Sequence, residues 1–477
     1  MTRTTTPARL GNPPAAGAAP ALTPAGLVTV LLAAALAPID LFIVNVALPT
    51  IGADLHASPA ALEWVVAGYG VAFALLLVIG GRLGDAFGRR RLLLVGLGAF
   101  TLTSLVCGLA PTAGVLVAAR LAQGAAAALL VPQTLSLIQA TTSGERRATV
   151  LGYFGATGGI SMVIGQLLGG LLVSADLAGQ TWRPIFLVNV PIGVLAVLLV
   201  GRYLPETRAR RAPALDRWGT PLLAVSLLAL LIPLMQGHEL GWPVWCWLLL
   251  AASPLLATAF VLVEARVERT GGAALLPPSV LRMPTMRRGL TIAVPFFAGF
   301  GGFMFVYALM LQDGLHLGPF RSGMALTPAA VSFLVTSLLG GRLVARFGHR
   351  VVIAGALLLA TSLLVLAGST LLAWPRLGVL DLLPGMALFG IGQGLGAPTL
   401  FRVILSRVPT DTAGVGSGML TTTQQTSLAL GVATLGSLFT ALASGGYEYA
   451  LVIVSLVQAA LSLAIAVLAR KLPDPRL

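Results

Sequence analysis

Apolar residues in this chain fall in long unbroken runs separated by short polar gaps, not at the spacing that marks a half-buried helix or strand in a soluble protein. A window of about 19 residues finds runs near 25–47, 62–82, 92–110, 113–135, 147–173, 184–203, 219–236, 243–264, 288–311, 322–344, 350–370, 378–404, 411–442 and 446–470. Each is long enough to cross a hydrocarbon layer of about 30 Å as a helix, so the pattern predicts fourteen membrane spans. Only the turn from Gly237 to Pro243 divides the seventh from the eighth. Ahead of the first run, Arg3, Arg9 and the stretch NPPAAGAAP predict a disordered tail. A signal peptide is the competing reading there, but the run from Gly26 to Leu48 exceeds the about 15 residues of a signal core and holds Asp40 within it.

Composition agrees. Hydrophobic residues make up 57% of the 477 and charged ones only 10%, where a soluble domain has roughly 25% charged; mean hydropathy is +0.93. A net charge of +14 would suggest nucleic acid, yet the basic residues lie in the gaps between spans and form no single face, so no nucleic-acid partner is expected. If both termini are cytoplasmic, the gaps on that side collect nearly all the arginines, among them Arg82, Arg89, Arg90, Arg91, Arg146, Arg147, Arg202, Arg266, Arg287, Arg288 and Arg350. The opposite gaps hold only Arg183, Arg321 and Arg376. This is the positive-inside bias, and an odd number of spans would scramble it in one half. Cys107 and Cys246 lie in or beside apolar runs and the four histidines have no ligand spacing, so neither a disulfide nor a metal site is expected. With no nucleotide loop or triad spacing, an enzyme is not expected either.

Between the second and third runs stands GRLGDAFGRRR, Gly81 to Arg91, and a partial echo, GGRLVARFGHR, runs from Gly340 to Arg350. The copies are about 260 residues apart, whereas six spans with their loops occupy roughly 200, and spans seven and eight account for the surplus. The organisation reads as a tail over 1–24, a six-helix bundle over 25–203, two extra helices with linkers over 204–287, a second bundle over 288–470 and a tail over 471–477.

GRLGDAFGRRR resembles the loop signature of the major facilitator superfamily. IDLFIVNVALP, Ile39 to Pro49, is similar to the first-helix motif of the fourteen-helix drug:proton antiporter branch, with Asp40 at its acidic position and Phe42 where threonine is common. EWVVAGY, Glu63 to Tyr69, resembles the start of that branch's second helix, and RLAQGAAAA, Arg120 to Ala128, its fourth-helix motif with a buried arginine. GATGGISMVIGQLLGG, Gly155 to Gly170, resembles the fifth-helix antiporter motif, WRPIFLVNVPIG, Trp182 to Gly193, its sequel, and DTAGVGSGM, Asp411 to Met419, a second-half segment. Gln166 departs from the motif proline, so a kink there is reduced or replaced by a side-chain hydrogen bond; Ala345 replaces the second loop's aspartate.

The resemblance implies an all-α polytopic fold of two six-helix bundles plus two central helices, working by alternating access: protons enter as a hydrophobic or amphipathic small molecule leaves. A dedicated exporter of one metabolite and a facilitator that uses no proton are the alternatives. The setting implied is lipid of a bacterial cytoplasmic membrane, with the proton as coupling ion, no organic cofactor and a monomeric state. A carboxylate in hydrocarbon costs about 2.5–3.5 kcal/mol, which makes Asp40 a candidate for proton exchange; the alternative puts it near the outer mouth against Asn45. Arg120 keeps its charge and needs carbonyls, a carboxylate or a wet cavity, as proton relay or substrate contact or as a structural tether. In the second half, Gln393 roughly aligns with Gln123 and Gly390 with Arg120, which leaves ionic coupling to the first half. Gly81, Asp85, Gly88 and Arg89 form a candidate latch in which Asp85 accepts backbone hydrogen bonds from a helix start in the other half; anchoring topology is the alternative. Gly155, Gly159, Gly165 and Gly169, in pairs four apart, predict one smooth helix face for gating or packing, with Gln166 among them. Trp64, Tyr69, Gln123, Phe300, Phe303, Met304, Tyr307 and Gln393 are candidates to line a substrate cavity.

Overall fold

The computed structural model describes residues 22–208, 218–237, 239–272, 274–406 and 413–472. Arg3, Arg9, Arg210, Arg211, Arg217, Asp411 and the last five residues lie outside this set. Fourteen helices in it are long and apolar enough to cross a membrane. The first bundle comprises α1 (Pro24–Leu55), α2 (Pro59–Phe87), α3 (Arg89–Gly108), α4 (Ala113–Thr141), α5 (Gly144–Ala175) and a crossing made of α6 (Pro184–Leu187) and α7 (Asn189–Tyr203). The extra pair is α8 (Gly219–Gln236) and α9 (Val244–Arg269), and the short α10 (Pro278–Arg282) leads into the second bundle. That bundle holds α11 (Pro284–Leu309), α12 (Pro319–Phe347), α13 (Arg350–Ala373), α14 (Val379–Leu405), a crossing of α15 (Ala413–Gly431) and α16 (Ser437–Ala443), and α17 (Tyr447–Ala469).

Local chemistry starts these helices. Thr23 Oγ1 accepts the Gly26 N–H at 3.0 Å, Ser58 Oγ that of Ala61 at 3.3 Å and Thr112 Oγ1 that of Val115 at 3.3 Å, and Pro24 and Pro59 occupy first-turn positions where no N–H is needed. An even number of crossings puts Leu22 and Leu472, the first and last described residues, on one face, the terminal face; the other is the far face.

The two bundles repeat each other at a shared contact. Gly124 of α4 lies against the Tyr69 carbonyl of α2, and Gly390 of α14 lies against the Ala329 carbonyl of α12, each so close that a methyl group would collide with the oxygen. Matching these crossings corrects the sequence alignment: Gly390 corresponds to Gly124, so Met386 and Phe389 take the places of Arg120 and Gln123. Both are buried apolar residues. Between the bundles, α5 packs on α12 and α2 on α15. At the far face Gln312 Nε2 donates to the Val46 carbonyl at 2.7 Å and the Phe320 N–H to Ser174 Oγ at 2.9 Å, closing that side. The pair α8 and α9 packs on itself and touches α2 through α8; only 17% of the α9 window is buried, so it lies at the lipid boundary.

The α5 glycines divide between two neighbours and do not share one face. A methyl group at Gly165 or Gly169 would come within 2.9 Å of the Ile39 carbonyl or 2.8 Å of the Ile43 carbonyl on α1, one at Gly159 would meet Leu334 of α12 at 2.8 Å, and Gly155 has open space. The six-residue step from 159 to 165 turns the helix by about 240°, which separates the pairs.

Candidate functional site

Asp40 is fully buried, and three donors converge on its two oxygens. Arg120 Nη1 reaches Oδ2 at 2.5 Å, while Gln123 Nε2 and Asn189 Nδ2 reach Oδ1 at 2.9 and 2.8 Å. Arg120 also donates from Nη1 to Gln123 Oε1 at 2.7 Å and from Nε to the Val65 carbonyl at 2.9 Å, and its guanidinium carbon lies 4.4 Å from the centre of the Tyr69 ring. Gln123 makes a further bond to Ser104 Oγ at 2.8 Å. The cluster ties together α1, α2, α3, α4 and α7. Arg120 and Gln123 share a face because they are three apart, and Gly124 brings that face against α2. Arg120 therefore finds both a carboxylate and a carbonyl. Asn45 is no partner of Asp40: its Nδ2 donates to the Leu41 carbonyl at 3.1 Å.

In the second bundle the equivalent place is aromatic. Phe389 stacks on Phe303 with ring centres 3.5 Å apart, and Phe303 meets Tyr307 at 4.3 Å. The charge is one-sided, as the sequence indicates.

A cleft of about 410 Å³ lies between the halves. Its walls are Leu41, Phe42 and Asn45 of α1, Val66, Ala67 and Gly70 of α2, Phe300, Gly301 and Met304 of α11, and Gln425, Leu428, Ala429 and Val432 from α15 and the turn after it. The lining is apolar apart from two amides, and Asn45 Oδ1 and Gln425 Oε1 are buried acceptors without a donor. Asp40 immediately precedes this wall.

Of the sequence-derived cavity candidates, Phe300 and Met304 line the cleft. Tyr69 and Gln123 belong to the Asp40 cluster, Phe303 and Tyr307 to the aromatic core, and Gln393 lines a smaller hollow inside the second bundle. Trp64 packs half-buried against the core. Gln166 is fully buried and donates from Nε2 to Met304 Sδ at 3.7 Å, reaching across the interface to the cleft wall. Asn189, which the sequence reading passed over, was signalled by an amide inside an apolar run, two residues before Pro191.

At the loop motif, Asp85 pairs with Arg89 at 2.8 Å, and Arg89 Nη1 reaches the Ser136 carbonyl of α4 at 3.4 Å. Gly88, at φ +108°, ends α2 and starts α3 in a conformation that favours glycine, while Gly81 sits beside Pro132 of α4. The segment after α7 also docks here: Glu206 accepts the N–H groups of Arg90 and Arg91 at 3.2 and 3.3 Å, capping the start of α3.

The chain matches the Major Facilitator Superfamily over residues 30–432 and 293–476. It is 39% identical over 409 residues to the "Probable actinorhodin transporter" of Streptomyces coelicolor, an overlap covering 84% of this chain and 70% of that one. It is 38% identical over 423 residues to the puromycin resistance protein pur8 of Streptomyces alboniger, covering 87% and 81%, and 36% identical over 412 residues to the cephamycin export protein CmcT of Amycolatopsis lactamdurans, covering 83% and 81%. Among solved structures, a POT family transporter in complex with 5-aminolevulinic acid superimposes with a TM-score of 0.69 at 13% identity, covering 95% of this chain and 99% of that one. A D-xylose-proton symporter superimposes with a TM-score of 0.63 at 15% identity, covering 95% and 98%; at such identities the likeness is one of fold. Motifs, fourteen crossings, repeated bundles and these relatives agree: the chain is a multi-pass membrane protein that belongs to the Major Facilitator Superfamily.

Proposed function

We propose that this chain exports neutral or amphipathic small molecules from the cytoplasm, driven by proton entry through Asp40. The observation that carries this reading is the placement of Asp40, which holds three donors behind the helix turn whose residues Leu41, Phe42 and Asn45 wall the cleft. Ionised, Asp40 fixes α1 to α4 and α7. Protonated, it loses the ion pair with Arg120, and the same α1 turn is free to move, changing the cleft. One proton crossing 100 mV supplies about 2.3 kcal/mol. Arginine bias supports a cytoplasmic terminal face, and the far-face hydrogen bonds support a state closed on the opposite side. Export is supported by the relatives, named for transport of or resistance to actinorhodin, puromycin and cephamycin.

An apolar lining with two aromatic rings and two amide acceptors suits an uncharged aromatic compound that offers N–H or O–H donors. Because several relatives are named for one antibiotic each, a dedicated exporter is the second reading. A substrate panel in a pump-deficient host separates the two. Proton-gradient-driven uptake into proteoliposomes tests the coupling: the native chain accumulates substrate and Asp40→Asn does not. Transport that persists after the gradient is dissipated would make the protein a facilitator.

A further inference from the structure

Glu63 is a buried acid, 1% exposed, that no cation pairs with among the described residues. It lies on α2 on the same stripe as Val66, Ala67 and Gly70, one turn nearer the far face than the cleft they line. Opposite it, Ser437 Oγ is 2.9 and 3.0 Å from the two Glu63 oxygens and 3.1 Å from the Leu234 carbonyl in the last turn of α8. Three elements thus meet over the cleft: α2 of the first bundle, α16 of the second and α8 of the extra pair.

Counting hydrogens favours the neutral acid. A serine hydroxyl has one proton to give and here faces three oxygens. With Glu63 ionised, that single hydrogen serves all three contacts, and the Leu234 carbonyl competes with the carboxylate for it. With Glu63 neutral, its O–H donates to Ser437 Oγ and Ser437 donates to the Leu234 carbonyl, one of the helix-end carbonyls that most need a donor. The surroundings agree. Helices α8, α15 and α16 carry no ionisable side chain among their described residues; Glu239, on the turn after α8, is a like charge acting on Glu63; and Asp54, at the far end of α1, is engaged by Arg183 at 2.7 Å. His238 lies outside the described residues.

The backbone is built for this contact. A π-turn over Val432–Gly436 interrupts the crossing just before Ser437, and such insertions are frequent at functional sites. Gly436 leaves room beside the carboxyl: a methyl group there would stand 2.9 Å from the Phe305 ring and 3.7 Å from Glu63 Oε1.

We infer that Glu63 and Ser437 form a proton-binding site, separate from Asp40, that holds the far-face mouth of the cleft shut while the proton is bound. The closed mouth binds one proton more than an open one in which Glu63 meets water. Acid at the far face therefore favours closure, and closure is lost as that pH rises.

The test is labelling of a Val66→Cys chain with a membrane-impermeant maleimide applied from the far face, in intact cells or inside-out vesicles according to the side that face occupies. The otherwise native chain, whose Cys107 and Cys246 are both buried, serves as the blank. Because the thiolate is the species that reacts and rises with pH for every cysteine, the rate is taken relative to an exposed far-face Gln180→Cys. Relative labelling of Val66→Cys should accelerate with far-face pH, by up to about tenfold per unit; adding Glu63→Gln, which keeps a donor toward Ser437, should hold this relative rate slow and flat with pH, and adding Ser437→Ala should make it fast even in acid. Asp40→Asn should leave the pH profile in place, which keeps this result distinguishable from the coupling proposed above. A Glu63→Gln chain that follows the native pH profile, or a native chain insensitive to pH, overturns the inference; so does loss of the profile in His238→Gln or Asp40→Asn.

Discussion

Replacing Asp40 by asparagine should destabilise the first bundle by about 3–5 kcal/mol, the usual cost of removing one member of a buried ion pair. The structure shows where the loss arises. Arg120, Gln123 and Asn189 direct three donors at two carboxylate oxygens, but an asparagine offers one oxygen, so its NH₂ must face at least one of those donors. A charge-assisted bond of about 1.5–3 kcal/mol is lost, and Arg120, fully buried, keeps a charge without its counter-ion. Adding Arg120→Gln removes that charge and should restore about 2 kcal/mol, giving a coupling in the double-mutant cycle. The assay is unfolding of purified protein in mixed micelles by increasing SDS fraction, followed by tryptophan fluorescence and size-exclusion behaviour. An Asp40→Asn chain within about 1 kcal/mol of native, or a double variant no more stable than the single one, would refute the argument that the pair is energetically coupled.

Two further outcomes follow from the helix contacts. Gly155→Ala, facing open space, should be neutral or stabilising by up to about 1 kcal/mol, whereas Gly165→Ala, against the Ile39 carbonyl, should cost about 1–3 kcal/mol; equal effects in the same SDS titration would contradict the division of the α5 glycines. Asp85→Asn, which releases Arg89 from its 2.8 Å ion pair, should lower transport turnover more than apparent substrate affinity in proteoliposomes, and unaltered turnover would count against a latch.

The fourteen crossings were legible because the signal is run length, which lipid imposes on every span. Interruptions within a span were not: 411–442 reads as one run, yet a π-turn at Val432–Gly436 divides it, and the apolar residues VATLG give no sign of this. Asp40 and Arg120 stood out because a charge inside a span needs a partner. Their partners were harder to find. Gln123 follows from its spacing to Arg120, but Asn189 reaches Asp40 only through the packing of α7. Phe303 and Phe300 look alike in sequence; one is stacked in the core and the other lines the cleft, a difference set by three residues of helix rotation. Glu63 stood at the predicted edge of its span, where an acid is unremarkable, and only the fold sets it over the cleft. The alignment of Gly390 with Arg120 failed because loop motifs constrain register loosely, while the close crossings at Gly124 and Gly390 fix it.

Central to the account is that Asp40 exchanges a proton in step with substrate occupancy of the cleft. Calorimetric titration of substrate into purified protein, repeated in buffers of differing ionisation enthalpy, counts the protons exchanged with solvent on binding. The native chain and Glu63→Gln should each exchange protons with solvent as substrate binds, and Asp40→Asn should exchange none. Equal proton exchange by Asp40→Asn and the native chain would contradict the account.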